Sequence, residues 1–289
     1  MYHYIFSITT ILFLSFTTLG YTQKSLGKTY KSTETFNLNG KVKYMTVSSY
    51  NLSKDGKNTP ILAAKEDYYF NEEGNVVKEK FYRNEELIFE QNFSFDKKGY
   101  PISTEATLYK KDGDTKIIKG IYTNDTYGNV IKIVFYEDNT LKDVIHQKVD
   151  NQQNTTTISK YDAEGNLEER QEKNYNNKGD IIEERTYNSK GEITAKTTYS
   201  YLSDKKYEKL TYIPRYMKIE YKGVIELDAH KNIIKETQER YDGSWIFEHT
   251  YTYDKHQNYT IKSSKAFITE NNKKETTGGI EKRSIEYYQ

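Results

Sequence analysis

The chain has 289 residues, no cysteine, 43 Lys+Arg against 42 Asp+Glu, 29 Tyr, 12 Phe, one Trp and a mean hydropathy of −0.93. The missing cysteine excludes disulfides, thiolate metal centres, cysteine nucleophiles and acylation at a lipobox cysteine, and the balanced charge argues against electrostatic capture of nucleic acid or of an anionic membrane surface. So polar a composition would suit disorder, but the Tyr, Ile, Val and Thr favour strands and supply surface to bury.

The first element is an apolar run from Ile5 to Phe16, followed by Thr17, Thr18 and Gly20 before the first charge at Lys24. That is the pattern of an export signal, and the run is shorter than the roughly 20 residues of a bilayer-spanning helix. Residues 1–22 are therefore expected to be a signal helix removed before Gln23, and residues 23–289 a single domain. Its destination is the periplasm, the outer surface or the extracellular space. An exported chain without cysteine suits a bacterial envelope better than a eukaryotic secretory pathway. No later segment is apolar enough for a helical span, so the mature chain is expected to cross no membrane.

A short signature then recurs: an aromatic, Asp or Asn, two variable residues, Gly, a polar residue and an aliphatic. It starts at Phe70, Phe95, Tyr161, Tyr175 and Tyr187, with a looser copy ending at Val130. Degraded copies begin at Leu227 and Tyr253, where Lys231 and Gln257 stand in the glycine position. The Asp or Asn side chain caps backbone N–H groups two residues on, and glycine supplies the positive φ that closes a hairpin loop. Asn39-Gly40 and Asp55-Gly56 are short hairpin signals as well, and Asp112-Gly113 and Asp242-Gly243 read as alternate turns of drifted chemistry.

Between turns, alternation sets two faces. Ile181, Glu183, Arg185 and Tyr187 fall on one side and Ile182, Glu184, Thr186 and Asn188 on the other; the same parity joins Val76 to Tyr82, Val130 to Tyr136 and Ile193 to Tyr199. One face collects aromatics and the first aliphatic after each turn, and the other is mainly Lys, Glu, Thr and Gln, as in an antiparallel sheet packed on one side and solvated on the other. The fold class that follows is all-β: an elongated antiparallel sheet of successive hairpins, coiled or partly rolled. The pattern fails from Leu202 to Leu227, where Tyr207, Tyr212, Tyr216 and Tyr221 crowd around Pro214.

The strings YDAEGNL, YNNKGDI and YNSKGEI resemble the tyrosine-aspartate (YD) repeats of the Rhs and teneurin-type families, well over residues 161–201 and partially at Phe70 and Phe95. The resemblance implies hairpins coiling on themselves at or outside the cell surface, in proteins sometimes labelled carbohydrate-binding. The chain is too short for the closed shell of the large members and has no recognisable Rhs core or toxin, so it is most similar to small exported Bacteroidetes-type repeat proteins.

Candidate sites follow from what the repeat does not explain. Signature tyrosines read as core, whereas Tyr207, Tyr212, Tyr216, Tyr221 and Trp245 are the candidate ligand contacts. His146, His230, His249 and His256 lack the spacing of a metal or catalytic motif, and the turn aspartates Asp96, Asp162, Asp228 and Asp254 lack the density of a calcium loop. No catalytic residue, metal or cofactor is assigned. The sequence thus suggests an exported, non-enzymatic module binding a glycan or an envelope protein or serving as a structural element. The alternatives are a carbohydrate-active enzyme using exposed carboxylates and an immunity- or chaperone-like partner of an exported effector.

Overall fold

The computed structural model describes residues 31–52, 60–110, 113–214, 218–240, 243–270 and 273–289. The signal at 1–22, Asp55-Gly56, Asp112, Tyr216 and Asp242 lie outside the described residues. The described chain forms eighteen strands. The first six are β1 (Val42–Asn51), β2 (Ile61–Phe70), β3 (Val76–Arg83), β4 (Glu86–Phe95), β5 (Pro101–Tyr109) and β6 (Thr115–Asn124). Then come β7 (Val130–Glu137), β8 (Thr140–Asp150), β9 (Thr155–Asp162), β10 (Leu167–Tyr175), β11 (Ile181–Asn188) and β12 (Ile193–Ser203). The last are β13 (Lys206–Ile213), β14 (Lys218–Leu227), β15 (Ile233–Arg240), β16 (Gly243–Tyr253), β17 (Tyr259–Glu270) and β18 (Lys273–Tyr287).

Each strand pairs antiparallel with the next, and β1 pairs with β18 as well as β2, so the sheet closes into a barrel. This corrects the expected elongated, coiled sheet of YD-repeat type. A chain of hairpins is locally identical in an open coil and in a ring, and only the pairing of first with last strand tells them apart; closure removes the two edges an open sheet would expose. The expectation of no membrane span is corrected with it, because it considered helices alone. Among the described residues no helix is long and apolar enough to cross a bilayer, but a closed barrel satisfies its backbone groups internally and can cross with strands.

The signature turns fold as their chemistry dictates. Asp96 Oδ1 accepts N–H bonds from Lys98 and Tyr100 at 2.8 and 2.9 Å, and Asn176, Asn188, Asp228 and Asp254 repeat the arrangement two and four residues on. The glycine follows with φ near +80° at Gly99 and Gly191, for example. Lys231 and Gln257 adopt the same left-handed conformation at φ 66° and 64°. The turns between signatures use two-residue reversals, Asn84-Glu85 and Asp138-Asn139, with positive φ at both positions. Asn39-Gly40 makes no hairpin. It precedes β1, with Gly40 at φ 80° and its carbonyl accepting from Val42 N–H.

Every signature hairpin carries a register shift just after the turn: Phe70 pairs with Val76 but Tyr69 with Lys78, and Tyr175 pairs with Ile181 but Asn174 with Glu183. The extra residue is a β-bulge, which breaks the period of two. Val76 therefore shares a face with Phe81 rather than Tyr82, and Ile181 points away from Glu183, Arg185 and Tyr187. The simple alternation expected from sequence fails at this one residue per hairpin.

Pairing carries one row around the barrel: Met45, Tyr68, Glu79, Gln91, Ala106 and Ile118 are successive partners from β1 to β6, and Met45 also faces Ile285 of β18. Residues of this face are the more shielded, as on a concave wall. Ile118 is 6% exposed beside Ile117 at 44%, and Ala266 is 8% exposed beside Phe267 at 39%. Inward apolar residues gather in three patches rather than one core, around Met45 and Tyr68, around Ile118 and Ile133, and around Tyr207 and Ile225.

Candidate functional site

The inward wall is the surface on which this fold concentrates chemistry. Phenols and carboxylates meet there across neighbouring strands. Tyr199 donates to Glu184 at 2.5 Å, Tyr221 to Glu236 at 3.2 Å and Tyr259 to Glu281 at 2.7 Å. Cations sit among them: Lys160 bridges Asp143 and Glu168 at 3.2 and 2.6 Å, Lys173 meets Glu184 at 3.3 Å, and the Arg283 guanidinium lies 3.6 Å from the Tyr259 ring centroid while bonding Glu281. Such charge-assisted bonds fix the side chains against the wall, leaving a lining of held phenols, acids and bases. Sequence reasoning missed these pairs because the bulges change which residues share a face.

The sequence-selected aromatics divide between faces. Tyr207 and Tyr221 are on the inward face of β13 and β14; Tyr207 is 8% exposed, packed on Ile225 and Leu227 and near Tyr199 and Tyr201. Lys209 lies over the Tyr221 ring. Trp245 is on the same face of β16, donating from Nε1 to Glu270 at 2.8 Å with Arg240 stacked on it. Tyr212, 36% exposed, is on the opposite face. The histidines stand apart: His249 Nδ1 is 2.8 Å from Ser264 Oγ, while His230 and His256 stack on Tyr253 and Tyr287 at 4.4 and 4.1 Å. Among the described residues no group of three or more His, Cys, Asp or Glu is placed to hold a metal.

The outward wall also carries phenol–carboxylate bonds, Tyr44 to Asp67 at 2.8 Å and Tyr187 to Glu172 at 2.7 Å. Its ion pairs include Lys78 and Lys80 with Glu90 at 3.1 and 3.3 Å, and Arg185 and Lys196 with Glu183 at 2.5 and 2.7 Å. Exposed aliphatics sit just after turns that follow even-numbered strands, at Ile102, Ile131, Ile182, Ile234 and Ile261, and also toward the opposite end, at Ile61, Ile117 and Ile193.

One mouth carries a further element. Residues 31–41 run from the turn at 71–75, where Thr33 N–H bonds Gly74 O at 2.8 Å, to the turns at 228–232 and 254–258. Asn37 Nδ2 donates to His230 O at 2.5 Å, and Asn258 exchanges bonds of 2.6 and 2.8 Å with the backbone of Asn39. Phe36 packs on Tyr68 and Phe70, and its carbonyl accepts from Arg283.

No protein-family model and no curated protein matches the sequence. Among solved structures, a porin-like protein from Bacteroides uniformis aligns over 90% of this chain and 100% of its own, at 13% identity and a TM-score of 0.51. A mutant of the porin from Rh. blastica aligns over 86% and 99%, at 8% identity and a TM-score of 0.40. The first likeness is one of fold, and it agrees with closure of the sheet. It overturns the YD-repeat reading and the soluble glycan- or protein-binding module built on an open repeat, and it lends no support to a carbohydrate-active enzyme or an immunity partner. The glycan reading required tyrosines exposed to solvent on one face, whereas Tyr207, Tyr221 and Trp245 line a closed interior. A barrel of this kind agrees with export to the cell envelope.

Proposed function

We propose that the chain is a porin-like barrel of the outer membrane that passes small polar solutes through its lumen. The observation that carries the reading is the ring of eighteen strands closed by β1 and β18 around a wall of held phenols, carboxylates and cations. Barrels of 16 to 18 strands are wide enough to leave an aqueous channel, and strands of 8 to 15 residues bracket the roughly 9–11 residues a tilted strand needs to cross hydrocarbon. A conduit needs no bond-making chemistry from the wall, only its width and its polar groups. Tyr207, Tyr221 and Trp245 are then lumen-lining contacts.

The outward charges set the condition. A Lys or Arg facing hydrocarbon at the midplane costs about 2–4 kcal/mol, so the wall at Lys78, Lys80, Arg185 and Lys196 must meet the membrane as neutralised pairs or through other polar matter, and the exposed aliphatics toward both ends are the surface suited to acyl chains. Insertion is therefore the first thing to measure. The mature chain, refolded with detergent, should float with liposomes after carbonate washing and give stepwise conductance in a planar bilayer. Flotation lost in carbonate, with a silent bilayer, would sink the reading.

A further inference from the structure

We infer that residues 31–41 are an internal strap that sets the size limit of the lumen at one mouth. The inference rests on the conduit reading and names the element that would make it selective. The strap is inward: Phe36 packs on Tyr68, its carbonyl accepts from Arg283, and Lys31 Nζ meets Glu79 at 2.9 Å. Tyr68, Glu79 and Arg283 all belong to the inward face, by their pairing with Met45, Tyr68 and Val47 in turn.

Reach limits how far apart the two anchoring turns stand. The anchor at Gly74 joins β2 to β3 and the anchor at His230 joins β14 to β15, so six strands (β15, β16, β17, β18, β1 and β2) stand between them. At about 4.8 Å per strand that arc is about 29 Å. From Thr33 to Asn37 the backbone extends at most about 14 Å, and an asparagine side chain does not supply the difference. The strap, packed through Phe36 and Leu38 on inward residues of β1 and β2 and bonded to His230, therefore occupies a mouth that is drawn in at this place. It is pinned at both ends, by the bridge of Ser32 to Asn75 on one side and by the exchanged bonds of Asn39 with Asn258 on the other. Gly40 lies against the rings of His256 and Tyr287, and Tyr287 also bonds Asn258. Neither anchoring turn belongs to the same hairpin as the strap, so the contact is tertiary and can be released without removing a strand.

The test uses the full mature chain in planar bilayers, with polyethylene glycols of graded size as the probe of bore. Asn37→Ala, and separately deletion of residues 31–38, should raise conductance severalfold and admit larger polymers than the parent does. Because the chain has no cysteine, Phe36→Cys provides a second measurement independent of deletion: a bulky impermeant thiol reagent should attach there and narrow the channel further. If the parent conducts but the released forms keep its conductance and polymer cut-off, or labelling of the Phe36→Cys variant leaves both unchanged, the strap is no constriction and the conduit reading survives. If neither parent nor released forms conduct, both fall together.

Discussion

At the scale of single residues, the turn positions carry the sharpest expectations. Gly179 has φ 84°, a conformation in which a β-branched side chain costs about 1–2 kcal/mol, so Gly179→Val should lower the urea midpoint by an equivalent amount. The converse holds where glycine is missing. Gln257 sits at φ 64°; relief of about 1–2 kcal/mol set against the roughly 0.5–1 kcal/mol of extra chain entropy that glycine loses on folding leaves Gln257→Gly between neutral and stabilising by about 1.5 kcal/mol. A drop in midpoint for that variant would mean the glutamine side chain holds something in place. Both positions were legible in the sequence, since turn chemistry is local. The phenol–carboxylate pairs were not: Tyr199 and Glu184 lie fifteen residues apart, and only the register of β11 against β12 brings them together.

At the scale of the element, the unit is a hairpin with a capped turn and a bulge, and its caps give it a pH dependence. Burial works to raise the Asp254 carboxyl, but the Tyr287 hydroxyl and the N–H groups of Asn258 and His256 outweigh it and hold the pKa below the usual carboxylate value. Asp125 is likewise lowered against its burial, by the Asn129 side chain and the N–H groups of Asn129, Tyr127 and Gly128. A folded pKa below the unfolded one means these caps contribute fully above the unfolded value of about 3.9 and lose their contribution as pH falls through it toward the folded value. Melting temperature should therefore fall below about pH 4, with a shallower acid slope in Asp254→Asn and Asp125→Asn. Identical slopes in parent and variants would remove the caps from the account. The bulge explains why alternation misassigned faces. One extra residue after the turn inverts the parity of everything beyond it, and no local propensity distinguishes Ile182 as the bulged residue from Ile181 as its inward neighbour.

At the scale of the molecule, stability depends on closure more than on a central core. The inward apolar residues form three separate patches, and one of them spans the seam where β1 meets β18, with Met45 fully buried between Tyr68 and Ile285. Met45→Ala should cost about 2–5 kcal/mol, as large-to-small changes at buried sites do. Removing residues 42–51 should do something different in kind. It would leave β2 and β18 as bare edges, and an open sheet with unpaired edges is expected to associate. Size-exclusion chromatography should show monomer for Met45→Ala at low temperature and oligomers for the deletion; a monomeric deletion variant would mean that the ring recloses without β1.

The sequence by itself determined that the chain is all-β, where most of its turns fall and that these turns follow one another along nearly its whole length. Those properties depend on residues within a few positions of each other, where Asp, Asn and Gly act through their own backbone. The tertiary structure alone decided that the sheet closes, which face is inward after each bulge, and that residues 31–41 bond to turns of distant hairpins. Each of these is a relation between segments far apart in the chain: β1 finds β18 across more than two hundred residues, and Asn37 reaches His230 at a separation of 193. A strand's hydrogen-bonding edge carries no label for its partner, so an open coil and a closed ring share one local code, and the ring prevails because it leaves no edge unpaired.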